Sequence, residues 1–312
     1  MVEFPKVSAI TLNWNGKDDT IECIASLKKL NYPNYDIVVV DNGSTDGSVS
    51  ALRAQYPDIA IIENGRNLGY AEGFNVGLKY AYENGVDYFL IINNDTVIDP
   101  DAMTALVLAA ESAPDIGFVS GKVYWHNDPN RLQTAGRLTD PHTLVGTHVA
   151  SGEIDNGQVD ASKEYDFIDD VFLLVRQSVY KKVGGYDPNF FLYFEETDWC
   201  ARVRRAGFTI IYTPHAKIWH KGQVGGPSGA LSPVRHYYLC RNEIVFMKKN
   251  TSPSRFLRYL LYALWQQLIL GSARWIKHGK FQHALARLRG FGAGFVWLWQ
   301  DWRGARWNVR TM

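Results

Sequence analysis

Five polar clusters in this chain carry groups able to hold a cation or move a proton. Asn13-Trp14-Asn15-Gly16, Asp41-Asn42-Gly43-Ser44-Thr45-Asp46-Gly47 and Asn93-Asn94-Asp95-Thr96 each follow directly on a short apolar run. Glu195-Glu196-Thr197-Asp198 follows the aromatic run Phe190-Phe191-Leu192-Tyr193-Phe194, and His220 follows Ile218-Trp219. Asp95 can hold a divalent ion that stabilises charge on departing oxygens, with the carboxamides of Asn93 and Asn94 as uncharged helpers. A glutamate partly desolvated by the aromatic run gains proton affinity and can serve as a general base. Each cluster also has an ordinary explanation. Asn, Asp, Gly and Ser make turns wherever a strand hands over to a helix. Acids in a first helical turn interact with the helix dipole, which lowers a carboxylate pKa and opposes the base reading. His220 taken alone reads more readily as a packed or hydrogen-bonded residue than as a ligand.

The elements around these clusters decide whether they meet. Short β-rich runs at 7–12, 37–40, 59–63, 88–92 and 116–120 alternate with amphipathic stretches at 19–30, 49–55, 70–84 and 100–113. That alternation predicts βαβ units, hence an α/β fold with a largely parallel sheet and flanking helices. Ligands of such sheets bind beyond the carboxyl ends of the strands, where three of the clusters fall. Residues 124–165, rich in Asp, Asn, Gly, His and Thr, read as a long, mobile excursion over the site. A second αβ segment follows, with a strand at 171–175, a helix at 177–183, the Gly184-Gly185-Tyr186-Asp187-Pro188 turn and a helix running to about Arg205. Late strands are expected at 210–212 and 216–219, then a Gly-, Pro- and Ser-rich loop over 222–232.

With 312 residues, 46% hydrophobic and 21% charged, the chain has room for one large domain and an appendage. We place a catalytic domain at 1–250, with a donor half at 1–122 and an acceptor half at 166–250, and a helical region at 251–312. The net charge of +1 leaves no overall footprint for a nucleic-acid partner. Cys23, Cys200 and Cys240 are far apart and lack metal-ligand spacing, which suits free thiols, a reducing compartment and a cytoplasmic location. No signal peptide is read at the N-terminus. The tail is dense in Trp, Leu, Tyr and Phe, but its uncharged stretch, 259–273, is shorter than the roughly 20 residues a spanning helix needs. Two readings remain. Its helices pack on the catalytic region or in a homo-oligomer, or they lie peripherally on a membrane, the reading that Trp297, Trp299, Trp302 and Trp307 among Asp301, Arg303, Arg306 and Arg310 favour.

In order and spacing, Thr11 to Gly16, Val40 to Asp46, Arg66-Asn67-Leu68-Gly69-Tyr70-Ala71-Glu72-Gly73-Phe74-Asn75, Asn93 to Thr96, Tyr193 to Trp199 and Trp219-His220 resemble family 2 glycosyltransferases. The likeness spans about residues 7–249 and is greatest to bacterial rhamnosyl- and galactofuranosyltransferase-like members, inverting enzymes with a GT-A fold. It implies transfer of a sugar, best matched by L-rhamnose, from a nucleotide-diphosphate donor to a hydroxyl of a glycan or lipid-linked precursor, assisted by Mg2+ or Mn2+. Asp41 would bond the nucleobase in a pocket shared with Thr11 and Asn13, and Asn67, Gly69 and Asn75 would wrap the ribose and diphosphate. Asn93-Asn94-Asp95 stands where the family has an Asp-any-Asp metal motif, with Asn94 on the donor side and Asn93 in place of the first acid. Glu196, flanked by Glu195 and Asp198, stands at the catalytic base. His220 lies 24 residues beyond Glu196, the interval at which the galactofuranosyltransferase-like branch has a metal-site histidine. The rival readings are a sugar nucleotidyltransferase, although Asn13 to Asp18 is not a basic Gly-rich phosphate loop, and a catalytically silent nucleotide-sugar or glycan-binding module.

Overall fold

The structure, a computed structural model, describes residues 4–139, 146–222 and 232–304. Its centre is a ten-stranded mixed sheet. In chain order the strands are β1 (Val7–Asn13), β2 (Tyr35–Asp41), β3 (Ala60–Glu63), β4 (Tyr88–Ile92), β5 (Thr96–Ile98), β6 (Ile116–Trp125), β7 (Asp128–Thr134), β8 (Arg137–Thr139), β9 (Gly146–His148), β10 (Lys163–Glu164), β11 (Phe172–Arg176) and β12 (Thr209–His220). The sheet order is β10-β12-β6-β11-β4-β1-β2-β3, with β5 added to β12 and β7 to β6, while β8 and β9 form a separate pair. β12, β6, β4, β1, β2 and β3 share one direction and only β10 and β11 in that order oppose it. The sheet is therefore mostly parallel, as the βαβ alternation requires.

Strand residues alternate between two cores because successive side chains leave a strand on opposite faces. Ile10, Val38, Val40, Phe89, Ile91, Leu173 and Val175 enter one core with Phe74 and Leu78 of helix α3 (Gly69–Glu83). Ala9, Ile37, Val39, Leu90, Ile92, Phe172 and Leu174 enter the other. There they meet Ile24 of α1 (Lys17–Leu27), Leu52 of α2 (Ser48–Gln55) and Leu106 of α4 (Ala102–Glu111). The first core continues past α5 (Gln177–Val183) and α6 (Glu195–Arg205) into α7 (Pro233–Asn250) and the tail. The tail consists of α8 (Pro253–Tyr262), a π-helical stretch (Ala263–Leu270), α9 (Gly271–Lys277) and α10 (Phe281–Trp302). Ile244 and Phe246 of α7 join Tyr259, Ala263, Phe291 and Trp297 in one cluster with Phe194 and Trp199. This core runs across residue 250, from α7 into the tail.

Two expectations change. The excursion at 124–165 carries four short strands: β7 pairs with β6, β8 with β9 and β10 with β12. Its polar residues are ladder and turn residues, so the composition that suggested mobility reflects a ribbon exposed on one side. The two late strands are one, β12, whose ladder with β6 shifts register between Tyr212 and Lys217. There the Ala216 carbonyl comes so close that a Cβ on Gly121 would sit 2.2 Å from its oxygen. The loop at 222–232 falls mostly outside the described residues, as do Arg306, Trp307 and Arg310.

Glycine sets the seat of α10 on α7. A Cβ at Gly290 would meet the Tyr237 carbonyl oxygen at 2.3 Å, and one at Gly294 would meet Ile244 Cδ1 at 2.7 Å. We expect Gly290→Val to push α10 outward and lower stability by about 1–3 kcal/mol, the usual cost of overpacking, read as a lower urea midpoint.

Candidate active site

The carboxyl ends of β1 and β2 form one hydrogen-bonded unit. Asn13 Nδ2 donates to Asp41 Oδ1 (2.8 Å) and Ser44 Oγ (3.0 Å), while its Oδ1 accepts from Thr20 Oγ1 (2.9 Å) and the Gly16 amide (3.2 Å). Asp41 Oδ2 accepts from the Gly43 and Ser44 amides at 3.1 and 2.9 Å. Thr11, Asn13 and Asp41 are all buried, with the Thr11 hydroxyl beside the Cys23 thiol, which burial pushes up to about 12. These residues shape the loop, and the group they present to solvent is Trp14, 57% exposed. Asn42, which the sequence reading passed over, clamps the next loop. Its Nδ2 donates to Asn67 Oδ1 and the Gly69 carbonyl, and its Oδ1 accepts from Asn64 Nδ2 and the Leu68 amide. Gly69 has φ +86°, and a Cβ there would meet Phe191 at 2.5 Å. Asn75 bonds both the amide (2.8 Å) and the carbonyl (2.9 Å) of Tyr186, fastening α3 to the 184–188 turn.

Pairing of β5 with β12 sets His220 opposite Thr96 and brings the imidazole to Asp95. His220 Nε2 lies 3.1 Å from Asp95 Oδ1, and its Nδ1 lies 2.6 Å from Gln133 Oε1. If Nδ1 carries the proton toward Gln133, the Nε2 lone pair faces a carboxylate oxygen, and two acceptors at that separation need a proton or a cation between them. The donor set suits a divalent ion bound by one carboxylate and one imidazole that a second residue orients. No group of three His, Cys, Asp or Glu side chains able to hold a metal occurs among the described residues, so further ligands would come from donor and water. Asn94 Nδ2 donates to Thr20 (2.9 Å), and Asn93 Oδ1 accepts from the Tyr70 hydroxyl (3.0 Å).

Tyr70 is where the two halves of the site meet. Its hydroxyl reaches Asn93 on the donor side, and its proton is held well above the ordinary tyrosine value by burial and by the charges of Asp170, Glu195 and Glu196. Those acids come from the segment before β11 and from the first turn of α6. Tyr193 and Phe194, immediately before α6, have φ +68° and +73°, a conformation that favours glycine. Asn242 of α7 holds them there, its Nδ2 donating to the Leu192 and Tyr193 carbonyls at 2.8 Å each.

The turn delivers Glu195 and Glu196 into a crowded pocket. Glu196 Oε1 accepts from Arg137 (2.8 Å) and from Thr197 (2.9 Å). Glu195 is 4% exposed and its Oε2 has no hydrogen-bond partner. Burial, then Glu196 and Asp170, raise its proton affinity well above the usual carboxylate range, so desolvation overcomes the helix dipole at this position. Asp170 accepts from the Tyr186 hydroxyl at 2.7 Å and is pushed up to about 8 by burial and by Glu196. Burial acts on Asp169 in the same sense, but His148 (3.0 Å) and Arg137 (3.6 Å) outweigh it and hold Asp169 below its ordinary value. Asp198 is engaged elsewhere. Fully buried, it accepts from Arg202 Nε (2.7 Å) and Asn250 Nδ2 (3.0 Å), tying α6 to the end of α7.

Arg137, His148, Gln133, Asp169, Asp170 and Asn242 did not stand out in the sequence, and Tyr70 entered only as part of the 66–75 motif. The first three lie in the excursion taken as mobile, and a lone Arg, His or Gln there carries no local pattern. Asp169-Asp170 before an apolar strand was the one usable signal.

The mostly parallel sheet with its flanking helices is a GT-A fold, with polar strand ends, an acid–histidine pair and a glutamate pocket arranged on it. Residues 8–184 match the sequence model described as Glycosyl transferase family 2, and the chain belongs to that family. It is 27% identical over 217 residues to the N-acetylglucosaminyl-diphospho-decaprenol L-rhamnosyltransferase of Mycobacterium tuberculosis, covering 63% of this chain and 70% of that one. It is 25% identical over 238 residues to the dTDP-rhamnosyl transferase RfbF of Shigella flexneri, with 73% and 76% covered. Its fold is similar to that of a mannosyltransferase of Pyrobaculum calidifontis solved with GDP-Man and Mn2+ (TM-score 0.58, 17% identity, 97% of this chain and 81% of that). It is also similar to GalNAc-T7 solved with UDP, GalNAc and Mn2+ (TM-score 0.60, 11% identity, 86% and 58%). The protein is a glycosyltransferase, and the nucleotidyltransferase and silent-module readings fall.

Two outcomes follow from this geometry. Asn242→Ala frees two carbonyls and the left-handed turn, so stability should fall by about 1–3 kcal/mol and turnover with it, measured by denaturant titration and initial rates. Asp170 has a folded pKa above its unfolded one, so through this group the folded state binds more protons between about pH 4 and pH 8, and Glu195, raised in the same sense, adds to the effect. Stability is then fully present below pH 4 as far as these groups are concerned and is lost as pH rises toward 8. The slope should approach about 1.4 kcal/mol per pH unit per retained proton, and Asp170→Asn should flatten it in thermal melts across that window.

Proposed function

We propose that this glycosyltransferase moves L-rhamnose, or a similar sugar, from a nucleoside-diphosphate donor to a hydroxyl of a lipid-linked or polysaccharide precursor at the inner face of the cell membrane. The observation that carries the reading is the Tyr70 hydroxyl, which joins the Asn93-to-Asp95 donor side to the Glu195–Glu196–Asp170 pocket. One cleft then holds a leaving diphosphate and a proton acceptor. The likeness to two rhamnosyltransferases supports the sugar, and the dTDP named for one of them supports a thymidine donor.

Asn13, Asp41 and Asn42 hold the nucleotide loops in shape, and exposed Trp14 offers a flat face for a base to stack on. Asn67, Gly69 and Asn94 border the sugar–diphosphate side. Asp95 and His220, with Asn93 beside them, would hold Mg2+ or Mn2+, which when bound supplies counter-charge to the departing diphosphate. Glu196 takes the acceptor proton as the hydroxyl attacks the anomeric carbon, and the diphosphate leaves from the opposite face, inverting configuration. Arg137 and Thr197 fix the Glu196 carboxylate so that one oxygen remains to receive that proton. Glu195 and Asp170 retain protons and keep the pocket from accumulating repelling charge.

Glu196→Gln should reduce transfer by about 10²–10⁴-fold while donor-induced thermal stabilisation persists. A wild-type rate in that variant sinks the base assignment. In a thermal-shift panel of nucleotide sugars, dTDP-rhamnose with Mn2+ should give the largest rise, and Asp95→Ala or His220→Ala should lose the Mn2+-dependent part. A flat panel refutes the donor assignment.

A further inference from the structure

Charge is segregated along this chain. Residues 251–312 carry ten Lys or Arg and a single acid, Asp301, a net of +9, whereas residues 1–250 carry 23 basic and 31 acidic side chains, a net of −8. The overall +1 conceals this division. The basic tail also displays its large apolar side chains in two regular stripes.

Leu257, Leu261, Trp265 and Ile269 recur every four residues and are each at least half exposed. In an α-helix residues four apart drift around the axis, because each residue turns about 100°. The π-helical stretch Ala263–Leu270, with its wider turn, counters the drift and keeps this row on one side. On α10, Phe281, Leu285, Leu288, Phe295, Trp299 and Trp302 are exposed at alternating spacings of three and four, with Gly292 completing the row. The opposite side of α10, with Gly290 and Gly294, is the one seated on α7. Exposed Arg258, Arg274, Lys277, Lys280, Arg289 and Arg303 border the stripes, Arg303 lying 3.8 Å over the Trp299 ring.

We propose that this face lies on an anionic lipid bilayer, the stripes entering the headgroup boundary and the basic side chains meeting the lipid phosphates. Among the described residues no helix is long and apolar enough to cross a membrane, so the contact is interfacial. Charge selects the occupant. A second copy docked through the same face would bring two strongly basic regions together, whereas an anionic surface complements them. The platform is tied to the catalytic loop, since Trp297 Nε1 donates to Asn189 (2.9 Å) and Arg241 to the Asn189 carbonyl. The glutamates are thereby held at a fixed relation to the bilayer, where a lipid-linked acceptor would be met.

The test is flotation of the full chain with phosphatidylcholine vesicles and with vesicles containing phosphatidylglycerol, without donor or acceptor, so that its outcome is independent of the proposed reaction. Binding is expected only to the anionic vesicles, weakening as salt is raised. L261D/W265D and, separately, R274Q/K277Q/K280Q should each reduce binding at least about tenfold with unchanged melting temperature. Failure to float with either vesicle overturns the proposal, as does equal, salt-insensitive binding to both. A dimer in light scattering that L261D/W265D dissociates, without vesicle binding, would assign the face to a second copy instead.

Discussion

The site depends on one strained turn. Tyr193 and Phe194 are held in left-handed conformations, a state costing of order 1–3 kcal/mol per residue unless its surroundings enforce it. The enforcement comes from a distant part of the chain, as Asn242 holds the two carbonyls while Phe194 packs on Phe246 of the same helix with ring centroids 5.6 Å apart. Only then does α6 begin where Glu195 turns into the pocket and Glu196 reaches Arg137. The strain is kept because relieving it would undo an apolar contact and two part-buried hydrogen bonds together.

The same dependence on long-range contacts recurs at the Asp95–His220 pair. Asp95 and His220 are 125 positions apart, and what joins them is the short antiparallel ladder of β5 with β12. β12 in turn runs beside β6, whose continuation into β7 brings Gln133 to the imidazole. The polar strand ends and the Asp95–His220 pair are thus hung on neighbouring ladders of one sheet, the glutamates come from α6, and Tyr70 reaches Asn93 on one side and the acids on the other.

Strand positions, the parallel alternation and the polar strand ends were legible because apolar periodicity and turn residues are local signals. β4 and α5 fall where the pattern put them, and β1, β2 and α3 differ by one or two residues at their ends. Asp95 and His220 were legible as a pair only through the resemblance to a family, since nothing local links them. Arg137 and His148 were not legible, because their importance lies in which carboxylates the fold brings to them. Asn75 and Asp41 show the converse. They are read from the sequence as donor contacts, and their polar atoms also hold the protein's own loops, a second role that needs hydrogen-bond partners rather than residue type to see.

Charge balance explains why so many acids tolerate one pocket. Asp169, Asp170, Glu195 and Glu196 share one pocket, but the buried Arg137 guanidinium pairs only with Asp169 and Glu196, and with His148 exposed at the rim there is not enough positive charge to keep all four ionised. Burial works against the charge of Arg137, but Asp169 and Glu196 outweigh it and fix the guanidinium in its charged form. Those two acids share the cation, and the other two retain protons. The pocket therefore sorts its carboxylates by partner: Arg137 and Thr197 orient the Glu196 carboxylate through Oε1, while Glu195, with no hydrogen-bond partner on Oε2, has its proton affinity raised by burial. Exchanging the roles of Glu195 and Glu196 would require moving the guanidinium, and Arg137 is held by the β8–β9 pair that the sequence had presented as a loose loop.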